Sequence, residues 1–566
     1  MLASTIFSSA IAQVPVDPGA IEPARPAPAV PDQTDDPIQV PATPERAGGN
    51  TLGPKISVTA FELAWEEPEA IGAASQAAAT EMMRKFLQER DQRLTIAELD
   101  VAANALTDFL RGEGYLLAKA ILPPQQVQDG SVRLRIFSAI VGDVAAKSNQ
   151  LYSKQHITHA FRSLKGAPVQ RQTLEPRLLL LNELPGQSAV AVFEPGAETG
   201  TTTLGLQTTR EEPVRYSARV DNHGIDSTGD WRVGLGARVN NFSGNRDALY
   251  VDAIKTFSPG DLRNARLRYE ITLPSLVHTL GIGFSETRYD VEAPAIKAQN
   301  FEGDTEIANL TLLSRWFNSR ELSVRSEVGV ATKRAEVLQA NNSLGVDRLS
   351  VLSARVIAEG VDQRLRGVYR ASLGLSRGFN DVLGSLDGAD SSLTKAPGSQ
   401  NLAGQFRSIS ASYNRLQNLV ANHQLLLLFS GQYSNDQLAS LEKMSLGGPY
   451  NVRAYPTGEF TADRAIYSSL AWVISGGAFS EGIAFGEYAW SQVLELKLFA
   501  DYGWAKNRNG AGGITRRELS GFGLGARLNL PGQRAFFDVS AAKPFAGKQA
   551  DNGDDQQFWF QAGIDF

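Results

Sequence analysis

The residues best suited to chemistry in this chain are an arginine on a long loop and a carboxylate on a strand. Residues 447–459 read "GGPYNVRAYPTGE" and set Arg453 among glycines, prolines and two tyrosines, between two candidate strands. Residues 493–504, "VLELKLFADYGW", alternate strictly: Leu494, Leu496, Leu498, Ala500, Tyr502 and Trp504 share one face. Glu495, Lys497, Phe499, Asp501 and Gly503 share the other, because successive side chains of a strand point to opposite faces. A guanidinium binds a carboxylate with two parallel hydrogen bonds, and a glycine beside the carboxylate leaves room for close approach. The chemistry on offer is a charge-assisted lock between a loop and a wall. A loop arginine that is simply solvated is the alternative.

Other chemistries find little support. The chain has no cysteine, which removes thiolate metal sites, thiol catalysis and disulfides together. Of the five histidines only His156 and His159 stand at helical spacing, and no nearby carboxylate completes a ligand set. They read as a solvated helix face, and no metal site is assigned. There is no G-x-S-x-G nucleophile elbow and no Walker A pattern, so no catalytic residue and no cofactor is assigned. With 55 basic against 61 acidic residues, a net charge of -6 and a pI near 5.6, the chain lacks the electrostatic footprint of a nucleic-acid binder. No run of about 18 apolar residues is present, so a membrane role must be carried by β-strands.

The elements that must position Arg453 and Asp501 follow from the texture of the chain. Residues 1–12 end their apolar part in Ala10-Ile11-Ala12 and read as an export signal with its beginning clipped. Residues 13–53 are proline-rich with few large apolar groups and read as a linker. Residues 54–138 form a small α+β module: a strand at "ISVTAFELA", a helix at 95–115, then strands at "YLLAKAILP" and "SVRLRIF". Thr95 and Glu98 make a capping box, and Leu99, Ala102, Leu106 and Leu110 form the apolar stripe of that helix. Residues 139–204 repeat the pattern in shorter form, with helices at 152–166 and 174–186 and a strand at 188–196.

From 205 to 566 the helical period disappears. In "WRVGLGARVN" (231–240) and "FGLGARLNL" (522–530) apolar residues alternate with Arg, Asn and Gly. A soluble sandwich would also alternate, but three features favour a membrane barrel. The pattern persists over the last part of the chain, long enough for about 16 strands. Polar loops such as 379–401 separate strands of about ten residues. The chain ends "FWFQAGIDF", with Phe558, Phe560, Ala562, Ile564 and Phe566 on one face.

"VRAY" (Val452, Arg453, Ala454, Tyr455) together with "FADYG" (Phe499, Asp501, Gly503) resembles the paired signature motifs of the POTRA-plus-barrel translocation superfamily. "GYLLAKAILPPQQVQDGSVRLRI", "LLLLNELPG", "FEPGAETGTTTL" and "VDNHGIDSTGDWRVGLG" resemble one branch of it, the two-partner secretion transporters of the haemolysin secretion/activation (ShlB/FhaC/HecB) type. The resemblance covers about residues 54–566. It implies a transmembrane β-barrel of about 16 antiparallel strands preceded by two POTRA domains, at 54–138 and 139–204, with an inserted loop at about 446–464. Ala454 stands where the superfamily has glycine, and the 14–48 segment gives no signal for the N-terminal plug helix of some members.

By this resemblance the chain is an outer-membrane transporter whose periplasmic POTRA domains capture an unfolded exoprotein, an adhesin or cytolysin, by strand addition, and whose barrel passes it outward without ATP. Arg453 would pin the inserted loop to Asp501, and the terminal aromatic Phe566 would be the signal read by the barrel assembly machinery. Outer-membrane lipid is the expected surroundings, a monomer the expected state, and nucleic acid is not a partner. An assembly factor of the same superfamily is the main rival, although such factors commonly carry more than two POTRA modules. An outer-membrane lipase lacks its nucleophile here, and a plain porin would not need residues 54–204.

Overall fold

A computed structural model describes residues 18, 37–40, 53–90, 92–127, 129–257, 260–292, 297–387, 392–393, 404–508, 515–545 and 549–566. The export signal expected at 1–12 lies outside these residues, as do most of the linker with its plug-helix question and much of the 379–401 loop.

The first module is built as its patterning requires. Helices Ala73–Gln88 and Ile96–Gly112 lie on a three-stranded sheet in which Ser131–Phe137 is central, parallel to Ala60–Trp65 and antiparallel to Lys119–Ile121. The second helix starts at the expected box: the Glu98 amide donates to Thr95 Oγ1 at 3.2 Å, and the Thr95 amide donates to Glu98 Oε2 at 2.7 Å. Two of the first-turn donors are thereby satisfied. Ala102, Leu106 and Leu110 of its stripe pack against Leu134 and Ile136 of the sheet.

The second module differs from its sequence reading in three ways. Its sheet gains Ile140–Lys147, in which Ile140, Val141 and Val144 are β-formers but Gly142, Asp143, Ala145 and Ala146 break the alternation that would signal a strand. The helix expected over 152–166 is an α-turn at Lys154–Thr158 followed by a 3-10 segment at His159–Leu164. The boundary expected at 204 falls inside a strand, Thr201–Glu211, which runs between Ile140–Lys147 and Gln187–Pro195. Its Thr-rich alternation resembles the barrel strands that follow, and only its pairing partners assign it to the module. Residues 37–40 of the expected linker join this module: the Gln39 amide donates to the Ala191 carbonyl at 2.9 Å and the Ala191 amide to the Pro37 carbonyl at 2.8 Å, while Ile38 is buried in the module's core.

Sixteen strands, from Val214–Asp221 to Gln557–Asp565, close into an antiparallel barrel. The alternation sorts as it reads. Leu235 and Leu524, on the greasy faces of the two quoted strands, are about three-fifths exposed on the outer wall (59% and 60%), where hydrocarbon covers them. Inside, Arg232 donates to Asp221 at 2.7 Å, and both side chains are buried. The module end abuts the barrel: Arg315 pairs with Glu183, Arg534 Nη1 with Glu212 at 2.7 Å, and Asn241 Nδ2 donates to the Leu151 carbonyl at 2.6 Å.

Closure is the barrel's thinnest pairing. The first and last strands share five residue pairs, Ser217–Asp221 with Gln561–Asp565, and every other neighbouring pair shares at least eight. Two additions lengthen it. Beyond the ladder, Phe566 and Tyr216 exchange both backbone hydrogen bonds at 2.8 and 3.0 Å. At the other end Asn222 clamps the last strand: its amide reaches the Phe560 carbonyl at 3.2 Å, its Nδ2 the Phe558 carbonyl at 2.7 Å, and its Oδ1 accepts the Phe560 amide at 2.7 Å.

Candidate functional site

The loop carrying Arg453 springs from the short ribbon Met444–Leu446 and Phe460–Ala462. It turns back at Gly447 and Gly448, whose φ of 95° and 106° require glycine. Asn451 stiffens the turn: its Oδ1 accepts the amides of Gly447 and Val452, each at 2.6 Å. The amide of Gly448 donates to the Tyr455 carbonyl at 2.9 Å. Val452, Ala454 and Tyr455 are consequently delivered into the barrel wall, all essentially without solvent exposure.

Arg453 reaches Asp501 on the strand Leu494–Lys506. Its Nε donates to Asp501 Oδ2 at 2.9 Å and its Nη2 to Oδ1 at 2.7 Å, the fork expected of a guanidinium on a carboxylate. The backbone amide of Arg453 adds a third bond to Oδ2 at 3.0 Å, and Nη2 also donates to Ser469 Oγ at 2.9 Å. The guanidinium carbon lies 3.3 Å from the centroid of the Phe499 ring, within cation–π range. The Asp501 side chain is wholly buried (0% exposed). Buried charges persist only when paired and hydrogen-bonded, and here each meets that condition through the other.

Gly503 and Ala454 have distinct steric tasks. A Cβ on Gly503 would stand 2.8 Å from Val452 Cγ2 and 3.0 Å from Leu446 Cδ1, so the glycine admits the loop. Ala454, which departs from the superfamily glycine, is accommodated by a glycine elsewhere: a Cβ on Gly521 would stand 2.3 Å from the Ala454 Cβ. The loop keeps its seat because the facing strand Arg516–Leu530 supplies the space.

All seven motif residues expected from the sequence are thus brought together, Val452 to Tyr455 on the loop and Phe499, Asp501 and Gly503 on the wall. Phe566 lies apart, at the far end of the closing seam, with its ring on Tyr216 at 5.7 Å. Four contributors escaped the sequence reading: Ser469, Trp559, His223 and Tyr450. Trp559 had a usable signal, since Phe558 and Phe560 on the lipid face send the residue between them inward. Its Nε1 donates to the Arg453 carbonyl at 2.8 Å. At the loop's mouth, Arg517 joins Glu459 to Asp551. Among the described residues no group of three potential metal ligands is found.

Comparison with known proteins agrees with this architecture. The family model for haemolysin secretion/activation proteins ShlB/FhaC/HecB matches residues 200–528, and that for the ShlB-type POTRA domain matches residues 73–138. The heme/hemopexin transporter protein HuxB of Haemophilus influenzae (strain 86-028NP) is 24% identical over 497 residues, covering 83% of this chain and 81% of the relative. The hemolysin transporter protein HpmB of Proteus mirabilis is 23% identical over 465 residues, 80% of this chain and 77% of the relative. Among solved structures, CdiB from Escherichia coli shares the fold at a TM-score of 0.68 with 19% identity, over 93% of both chains. A closed sixteen-stranded barrel, a POTRA module before it and a loop arginine seated on a wall aspartate all coincide in one chain, and it belongs to the ShlB/FhaC/HecB haemolysin secretion/activation family.

Proposed function

We propose that the chain is an outer-membrane two-partner secretion transporter that moves an unfolded exoprotein from the periplasm to the cell surface, and that it is not an enzyme. The observation that carries the reading is the seated loop. An arginine held by both oxygens of a buried wall carboxylate fixes the loop inside the barrel without fixing it covalently. Such a contact suits a part that must hold one position at rest and be able to leave it. The similarity to a hemolysin transporter and a heme/hemopexin transporter supports an export role.

In this reading the two α+β modules, 54–138 and about 139–211, are POTRA domains in the periplasm. An exposed strand edge of a module accepts the exoprotein as an added strand, so backbone hydrogen bonds supply affinity without demanding one sequence. The barrel is the conduit, a monomer in lipid, and folding of the cargo outside draws the chain forward in the absence of ATP. Phe566, terminal on the last strand, serves as the mark for barrel assembly. Arg453 and Asp501 position the loop and carry out no bond chemistry.

The test is secretion of a candidate large exoprotein from the same cell, with wild type, Arg453→Ala and Asp501→Ala compared at equal levels of heat-modifiable barrel. Loss of export in both variants is the expected result. Export unchanged in both would remove the loop contact from the mechanism, and export independent of the chain altogether would replace the transporter reading with an assembly role.

A further inference from the structure

The inserted loop is fastened on two sides, and only one of them is the Arg453–Asp501 contact. The other faces the closing seam. Trp559, on the last barrel strand, donates its indole N–H to the Arg453 carbonyl at 2.8 Å. The Trp559 ring stands edge to face against His223 at 5.8 Å, and His223 stands in the same way against Tyr450 of the loop at 5.3 Å. His223 Nδ1 and Tyr450 Oη are 3.1 Å apart, and Thr457 Oγ1 donates to the His223 carbonyl at 3.2 Å. His223 belongs to the connection leaving the first strand, directly after the Asn222 clamp, and its own amide is held by Asp221 Oδ1 at 3.0 Å.

The loop therefore bridges, from inside, the two strands that share the shortest ladder of the barrel. Its tip touches the last strand through Trp559, and its flanks touch the end of the first strand through Tyr450 and Thr457. Trp559 is buried, and an indole N–H left there without its acceptor costs more than an ordinary hydrogen bond returns, so departure of the loop removes a partner from both sides of the seam. Conversely, separation of the two strands would pull Trp559 and His223 apart and take away the loop's second fastening.

We propose that Trp559 is a positioning residue which, with His223 and Tyr450, couples the seat of the inserted loop to closure of the barrel. Loop release and loosening of the seam are then one event.

Because the chain has no cysteine, engineered cysteines report the two halves separately. A single Val452→Cys reads the loop seat by maleimide labelling, since Val452 has no solvent exposure while the loop is seated. Ala218→Cys with Ile564→Cys reads the seam by oxidation, where those residues are register partners. Both are followed in outer membranes from otherwise wild-type protein and from Asp501→Ala, Trp559→Phe and Tyr450→Phe, with heat-modifiability confirming a folded barrel. Trp559→Phe keeps an aromatic ring and deletes the donor; it should speed loop labelling by roughly three- to tenfold, the loss of one buried hydrogen bond, and slow the seam cross-link. Asp501→Ala, which touches no seam residue, should slow the seam cross-link as well as speed loop labelling. A seam cross-link at the wild-type rate when Asp501→Ala has unseated the loop would overturn the coupling. So would loop labelling unaffected by Trp559→Phe. Were Trp559→Phe absent from the membrane, Tyr450→Phe decides the second point in the same way. None of these readouts involves secretion, so they stand or fall independently of the transport reading.

Discussion

Replacing Arg453 with alanine removes the side chain and spares the backbone amide that already donates to Asp501 Oδ2. Two charge-assisted bonds to the carboxylate are lost, together with the bond to Ser469 and the stacking on Phe499. Asp501, wholly buried, is left with one donor and an uncompensated charge. Breaking a buried pair from one side costs about 3–5 kcal/mol, mostly because of the orphaned partner. At ~1.4 kcal/mol per factor of ten, the seated fraction should fall by roughly a hundred- to a few thousand-fold relative to the released one. The assay is maleimide labelling of a single Val452→Cys, a position with no solvent exposure in the seated loop. Labelling should accelerate by a comparable factor in Arg453→Ala. Arg453→Lys should fall between, because an ammonium is a point charge and cannot span both carboxylate oxygens and Ser469. The double variant Arg453→Ala/Asp501→Ala should label no faster than Arg453→Ala, since the stranded charge is gone. Labelling of Arg453→Ala within threefold of the parent would refute the reasoning: the ion pair would then be a consequence of the loop's seat and contribute nothing to it.

Two further outcomes follow from other contacts. Gly521→Ala should unseat the loop, read by the same Val452→Cys labelling, and Ala454→Gly added to it should restore part of the protection. The restoration is partial because the new Cβ would also stand 2.7 Å from the Lys543 carbonyl; no restoration at all would show that this second clash dominates. In the second module, burial first and then the Arg246 charge lower the pKa of His156. A histidine with a folded pKa below its unfolded value takes up its proton more readily when unfolded, so stability present above about pH 6.5 is lost as pH falls through that value. Hydrogen-exchange protection over Ser153–Leu164, with the intrinsic pH dependence of amide exchange divided out, should therefore fall between pH 7.5 and 5.5, and His156→Gln should flatten that dependence. An equal fall in the variant would assign it to another group.

Much of this protein can be read directly from its residues, wherever the physics is local. The period of two in "VLELKLFADYGW" places Asp501 on the inner wall, because a strand has no other way to sort its side chains. Thr95 and Glu98 start a helix because the first amides of any helix need acceptors, and these two supply them. The absence of cysteine, of long apolar runs and of nucleophile motifs restricts the chemistry before any fold is known. The pairing of Arg453 with Asp501 is legible as chemical compatibility and through the family's motif.

What depends on bringing distant segments together is not legible in that way. Thr201–Glu211 alternates like a barrel strand, and only its neighbours, Ile140–Lys147 and Gln187–Pro195, place it in the module's sheet. Ala454 looks like a fault in its motif until Gly521 is seen opposite it. Trp559 and His223 are ordinary residues of their own segments, and they acquire a role because closure of the barrel sets the two ends of the strand order side by side beneath the loop. Local sequence determines which way a side chain points, since that depends on the backbone of one strand; which groups it meets there is decided by the three-dimensional closure of the barrel, since that depends on every strand between them.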